Sequence, residues 1–160
     1  MKEIHFRTAI KEDLPVLYQF EQGIITAERP YDETLKLDPI TYYDLNAMIC
    51  SNDAVIIVAL DGEKIIGSAY GMIKEAKPYL KHSHYAYLGF MYVNNDYRGK
   101  GINKQIIEEL KTWTLSKNIY ELRLDVYNDN ISAIKAYEKA GFQKHLVNMR
   151  MDILTSPSNE

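Results

Sequence analysis

Two β-rich apolar runs, residues 54–60 and 65–73, lie on either side of Asp61-Gly62-Glu63-Lys64. A short Asp-Gly loop between two such runs turns the chain back on itself as an antiparallel hairpin. The first of the two is the longest apolar run in the chain. It is strand-sized, well short of the ~20 residues that a membrane span needs.

Other elements arrange themselves around this hairpin. Residues 4–7 alternate apolar with polar as a first strand. Asp13 stands where a helix N-cap belongs, with Pro15 in the first turn and Leu14, Leu17, Tyr18 and Ile25 on one face. Glu28-Arg29-Pro30-Tyr31-Asp32 breaks that helix, because the residue before proline disfavours helix. A second helix is predicted around residues 42–49, and a strand over 85–93. Arg98-Gly99-Lys100-Gly101 then opens a helix whose Ile102, Ile106, Ile107, Leu110 and Trp113 recur at helical spacing. Residues 120–127 alternate as a strand, 131–140 form a helix stopped at Gly141, and 145–153 close the chain as a strand. This order predicts an α/β (α+β) domain over residues 1–154 with a mixed, partly antiparallel sheet and about four helices. Residues 155–160 read as a disordered tail.

Composition narrows the functional classes. The chain has 160 residues, usual for one domain. Its single cysteine, Cys50, excludes an internal disulfide and leaves a Cys-based zinc site without support; it reads as a small buried residue. His82 and His84 flank Ser83 with no third ligand nearby, so no metal is expected. The net charge of −3, with acids and bases interspersed, argues against a nucleic-acid partner. No secretory signal or membrane segment is read, which implies a cytoplasmic protein. Thirteen tyrosines suit a wet cleft, since the ring packs while the hydroxyl stays hydrated.

The segment Tyr92-Val93-Asn94-Asn95-Asp96-Tyr97-Arg98-Gly99-Lys100-Gly101-Ile102-Asn103 carries the chemistry. A strand ends, a short loop turns, and a helix begins on glycines. Its first-turn amides lack partners and sit at the positive end of the dipole, a setting that binds phosphate or pyrophosphate. Arg98 and Lys100 add positive charge. The order Gly-x-x-x-x-Gly-Lys-Ser/Thr is absent, and Lys104 stands where a dinucleotide fingerprint needs a third glycine. The glycines alone are equally compatible with a tight turn.

Downstream, Asn130 through Phe142 reads Asn-Ile-Ser-Ala-Ile-Lys-Ala-Tyr-Glu-Lys-Ala-Gly-Phe. With the Arg98-Gly99-Lys100-Gly101-Ile102 loop before it, the chain resembles the GCN5-related N-acetyltransferase superfamily over residues 85–142, with a weaker echo at 7–13. The resemblance implies a splayed sheet whose gap admits the pantetheine arm of acetyl-CoA, the cosubstrate. It implies that the backbones of Met91, Tyr92 and Val93 bond that arm. The amides of Gly99, Lys100, Gly101, Ile102, Asn103 and Lys104 would hold the diphosphate, and Asn130 would contact the cofactor. Asn103 departs from the small residue usual at that position. Tyr137 falls where the family places a hydroxyl near the thioester sulfur, and a phenol of pKa about 10 can serve as general acid to a thiolate of pKa about 8.5.

The base is harder to assign. Many relatives carry an acid at the position of Gly89, which here lines the acceptor side without one. A lysine-like amine is neutral at pH 7 in about one molecule in 2,500, an α-amine in roughly one in seven. Gly89 therefore favours an α-amine of an amino acid or peptide, or a proton relayed by water to a distant group. Glu28 is the leading distant group. Arg29 beside it can pair with an acceptor carboxylate, and Tyr31 shares the loop. The expected activity is direct N-acetylation of a primary amine, on a small molecule or peptide. Two other readings stay open: an acyl-CoA-binding sensor without catalysis, and an interaction domain. Pairing through an exposed or terminal strand would give a homodimer.

Overall fold

The computed structural model describes residues 3–154; the tail read at 155–160 lies outside them. β1 (Ile4–Thr8), β2 (Ala54–Asp61), β3 (Lys64–Glu75) and β4 (His84–Val93) form an antiparallel meander. β5 (Leu122–Arg123) joins β4 in parallel, giving the order β1-β2-β3-β4-β5. α1 (Leu14–Glu28), α2 (Leu45–Cys50), α3 (Ile102–Ser116) and α4 (Ile131–Lys139) complete a mixed α/β fold.

The uninterrupted apolar run of β2 is explained by burial on both faces. Ile56, Val58 and Leu60 point to one side, where Leu17, Phe20 and Ile24 of α1 and Leu45 and Met48 of α2 cover them. Val55, Ile57 and Ala59 point to the other, against Ile102, Ile106 and Leu110 of α3. Each large aliphatic side chain buried this way contributes about 1.5–3 kcal/mol. The 3.6-residue periodicity of α1 and α3 thus fixes which side each helix takes, and the β2–β3 hairpin becomes the central layer of the molecule.

Four expectations need correction. Asp13 flanks α1, but its side chain does not cap that helix. Its carboxylate takes a fork from Arg7 at 2.7 and 3.0 Å and accepts the Ile10 N–H at 2.9 Å. This bidentate pair holds the Asp13 pKa below the usual carboxylate range. The second helix starts later than expected: Asp44 caps it, accepting the Ala47 N–H at 3.0 Å. Cys50, at the end of that helix, is exposed rather than buried.

The fourth correction concerns the strands after β4. The alternation of residues 120–127 becomes a ladder only at Leu122 and Arg123. Residues 145–153 form no strand. Val147, Met149, Met151 and Ile153 are exposed, and the segment is tied down by Arg150, which donates to Asp32 at 2.8 Å and Thr34 at 3.0 Å. Alternation prepares a face, but a strand also needs an edge to pair with, and β5 is too short to template one.

Candidate active site

β4 runs into a 3-10 turn and then the glycine loop. Gly99 (φ 76°) and Gly101 (φ 77°) are left-handed, and a β-carbon added at either would meet nothing within 4 Å. Backbone geometry and room for a ligand, rather than crowding by neighbouring protein, therefore call for glycine here. The first amide in this turn to bond back is Gln105, to the Gly101 carbonyl at 3.2 Å. The amides of Ile102, Asn103 and Lys104 precede it and point outward at the positive helix end. The Tyr97 hydroxyl pins the loop to the hairpin turn by donating to Asp61 at 2.7 Å.

The charged side chains of the loop are less free than the sequence suggested. Arg98 Nε donates to the Val93 carbonyl at 3.0 Å, and the Lys100 ammonium lies 5.1 Å from the centre of the Tyr97 ring. Asn103 Oδ1 is buried without a hydrogen-bond partner. A phosphate ligand would thus meet a cradle made mainly of main-chain N–H groups. The residues present fit the diphosphate of coenzyme A on that ground.

Beside this loop the sheet comes apart. β4 pairs with β5 only at Ala86↔Leu122 and Tyr87↔Arg123, although β4 continues to Val93. Residues 88–93 therefore have no ladder partner on that side among the described residues. A bulge contributes: the β3–β4 register shifts between Ser68 and Tyr70, and Phe90 sits at φ 57°. Such a bulge bends the strand and increases its twist, turning β4 away from β5. Met91, Tyr92 and Val93 are half-buried along this stretch.

Tyrosines crowd around β3 and β4. The buried Glu21 carboxylate of α1 accepts the N–H groups of Tyr42 at 3.1 Å and Tyr43 at 2.9 Å. This fixes both rings over the sheet. Tyr43 meets Tyr70 edge-on at 5.3 Å and Phe90 at 5.5 Å, and Tyr70 lies 6.4 Å from Tyr87. The Tyr87 hydroxyl donates to Asp125 at 2.8 Å. Tyr31 stacks on Tyr127 at 5.8 Å, and the Tyr127 hydroxyl donates to Asp32 at 3.4 Å.

Gly89 acquires a steric explanation in this setting. A β-carbon there would lie 2.6 Å from the Tyr70 ring and hydroxyl. No acid fits at position 89 while Tyr70 covers it. Tyr70 itself is 6% exposed, and its hydroxyl bonds to no described residue. Burial, reinforced by Asp125, pushes its pKa up to about 12.

Glu28 sits at the centre of this cluster. Burial raises its carboxyl pKa, with Asp32 adding to the rise and Tyr42 opposing it. Its charge in turn adds to the upward shifts of Tyr42, Tyr43, Tyr127 and Tyr137, of which Tyr137 reaches about 12, chiefly through burial. Glu28 makes no ion pair with a described residue. Tyr42 Oη beside it is buried, and its approach falls outside good hydrogen-bond geometry. Arg29 is not free to hold an acceptor carboxylate: its terminal nitrogens donate to the Lys36 carbonyl at 2.8 Å and Asp38 at 2.7 Å. Asn130 Oδ1 caps α4 at the Ala133 N–H, 3.3 Å, one helical stretch before Tyr137.

The sequence reading missed Tyr42, Tyr43, Tyr70, Tyr87, Asp125 and Tyr127; only the number of tyrosines hinted at them. His82 pairs with Glu121 at 2.7 Å, outside the cleft. Two surface hollows, about 340 Å³ along loop 75–84 and about 220 Å³ between α2 and Trp113, share no residue with the glycine loop or the tyrosine cluster. No helix among the described residues is long and apolar enough to cross a membrane.

The model of the Acetyltransferase (GNAT) family matches residues 20–142, from α1 through both motifs. The chain belongs to this family. Relatives of this GNAT protein include streptothricin acetyltransferase of Escherichia coli, 38% identical over 50 residues, which span 31% of this chain and 29% of that protein. Glucosamine 6-phosphate N-acetyltransferase 1 of Dictyostelium discoideum is 33% identical over 110 residues, 67% of either chain. Among solved structures, a predicted acetyltransferase with acetyl-CoA from Clostridium acetobutylicum superposes with a TM-score of 0.74 at 20% identity, covering 95% of this chain and 97% of that one. A mutant of the BH1408 protein from Bacillus halodurans reaches 0.84 at 18% identity, covering 93% and 99%. These structural likenesses speak to the fold. The GNAT chain is an acyl-CoA-dependent acetyltransferase with acetyl-CoA as its cosubstrate.

Proposed function

We propose that the protein transfers acetyl from acetyl-CoA directly to a primary amine of a small molecule. The observation that carries this reading is the loss of β4–β5 pairing beyond Tyr87, next to the free amides that begin α3. Bound there, acetyl-CoA supplies a thioester carbon open to attack and a thiol that can leave. The N–H groups of residues 99–104 neutralise the diphosphate, and the β4 edge at Met91, Tyr92 and Val93, where the Val93 carbonyl also accepts from Arg98, bonds the pantetheine arm as an added strand would.

The proton traffic falls to Tyr137 and Glu28. A bound ammonium must lose one proton before its nitrogen attacks, and Glu28 passes that proton to solvent. As the C–N bond forms and the C–S bond breaks, the nitrogen loses a second proton and the sulfur gains one. The net release is one proton per turnover. Tyr137, held near pKa 12, keeps its proton in the resting site. Full transfer to a thiolate of pKa about 8.5 is uphill by roughly 5 kcal/mol. Its role is therefore to hydrogen-bond the departing sulfur while solvent completes protonation.

Arg29 stabilises the loop after α1 through Asp38, and Tyr31 supports the Tyr127 ring. The printed activities of the relatives, on streptothricin and on glucosamine 6-phosphate, both concern small molecules. The test is thiol release from acetyl-CoA over a panel of small amines and peptides. Turnover on at least one small amine is expected. Binding of acetyl-CoA with no release on any of them would contradict the reading and favour a sensor.

A further inference from the structure

The acceptor end of the cleft has an unbalanced charge. Three carboxylates lie among the tyrosines, Glu28, Asp32 and Asp125, and a fourth, the exposed Asp38, follows in the loop after α1. Two guanidinium groups answer them, and both are taken. Arg150 pairs with Asp32 and Arg29 with Asp38, each through a hydrogen bond of 2.8 Å or less. Glu28 and Asp125 are left over. The exposed Asp125 accepts from the neutral Tyr87 hydroxyl, with the Lys74 ammonium 4.3 Å from the centre of that ring, and Glu28 has the poorly aligned Tyr42 hydroxyl.

Two further observations point to a ligand that meets this demand. Tyr42 Oη is buried with no hydrogen bond of good geometry, directly beside the Glu28 carboxylate. Tyr70 is more than nine-tenths buried as a residue; its hydroxyl bonds to no described residue and lies beside Gly89, next to the bulge where β4 leaves β5. A buried hydroxyl left as Tyr42 Oη is left is costly unless something else satisfies it. An ammonium donates three hydrogen bonds, carries the missing charge and is attracted to tyrosine ring faces. A carboxylate or phosphate would meet Glu28 and Asp125, neither of them in an ion pair with a described residue; the Lys74 ammonium nearby rests over the Tyr87 ring, 4.3 Å from its centre.

Resting on the reading of the site as an amine acetyltransferase, we propose that the acceptor is a cationic amine bearing a second positive charge and no acid group, its ammonium seated on Glu28 among Tyr42, Tyr70 and Tyr127, with Asp125 meeting the second charge. This departs from the amino-acid acceptor that Gly89 suggested in the sequence. The steric reason for Gly89 is Tyr70, so the missing acid at that position carries no message about the acceptor's pKa.

The test uses the full chain, saturating acetyl-CoA and acceptors of one length: 1,6-diaminohexane, hexylamine and 6-aminohexanoate, with glucosamine 6-phosphate as an anionic amino sugar. Thiol release is expected to give kcat/KM for the diamine about tenfold above hexylamine, the worth of one favourable charge contact. It should stand about a hundredfold above 6-aminohexanoate. Glu28→Gln should shrink this spread to a few-fold while acetyl-CoA affinity by calorimetry stays unchanged, and Asp125→Asn should reduce the diamine's advantage over hexylamine alone. An acid-bearing acceptor as the best substrate would overturn the inference and leave the acetyltransferase reading intact. So would an unchanged order in Glu28→Gln. Acetyl-CoA binding with no release on any of the four amines would overturn both. If Glu28→Gln fails to fold, the wild-type order and Asp125→Asn decide.

Discussion

The glycine loop follows the end of β4, the tyrosine cluster gathers on β3 and β4 before it, and the two are made of different material. The loop offers main-chain amides from consecutive residues, shaped by two left-handed glycines. The cluster offers side chains drawn from α1, the segment before α2, β3, β4, the end of β5 and α4. A main-chain site depends on backbone angles and tolerates changes in its side chains. A side-chain site depends on every ring and carboxylate that holds its neighbours in place. The first can be kept while the second is rebuilt for another acceptor, which is one physical route by which a fold serves many substrates.

Substitutions that exchange these dependencies would break or sharpen the contrast. The largest effect is expected at Gly89. Placing aspartate there drives a β-carbon to within 2.6 Å of the Tyr70 ring, at a cost of about 3 kcal/mol in stability by denaturant titration. Tyr70→Ala in the same chain should recover at least half of that loss. An undisturbed Gly89→Asp protein would show that Tyr70 does not cover this position. Next comes Gly101→Val, which forces a β-branched residue to φ 77°. Calorimetry should show acetyl-CoA affinity falling about 30-fold, roughly 2 kcal/mol, with acceptor selectivity unchanged.

Glu21→Gln probes the cluster without touching the loop. It weakens two charge-assisted bonds to the Tyr42 and Tyr43 amides, and kcat/KM for the acceptor should fall about tenfold while acetyl-CoA affinity holds. Lys104→Ala should change that affinity no more than about threefold, since an exposed charge near a phosphate is worth little beside the amides. The pH dependence has a definite sign. Burial raises the Glu28 pKa, so kcat/KM should climb as pH rises through a value above the ordinary 4.5, and Glu28→Gln should lose that limb.

The same contrast explains what the sequence disclosed. The loop was legible because Gly99 and Gly101 stand two residues apart at the start of a periodic helix, so spacing alone describes its shape. The hairpin and α3 were legible for a similar reason: their patterns are local and their burial follows them. Of the cluster only Glu28, Tyr31 and Tyr137 were named, Tyr137 through the family resemblance; Tyr42, Tyr43, Tyr70, Tyr87, Asp125 and Tyr127 are scattered along the chain and meet only through the fold. Gly89 was read as a missing acid, whereas its cause is a ring on the neighbouring strand. Residues 145–153 were read as a strand from alternation, which records a face and says nothing about whether an edge is available.

The central claim is that acetyl-CoA enters where β4 and β5 part and is gripped by the amides at the start of α3. Titrating acetyl-CoA into the ¹⁵N-labelled chain and following backbone amide shifts tests it most directly. The account predicts the largest shifts at residues 99–104 and along 88–93 of β4, with the amides at 102–104 moving downfield as they donate to phosphate oxygens. Shifts confined to the hollow along loop 75–84, or to the one beside Trp113, would contradict it.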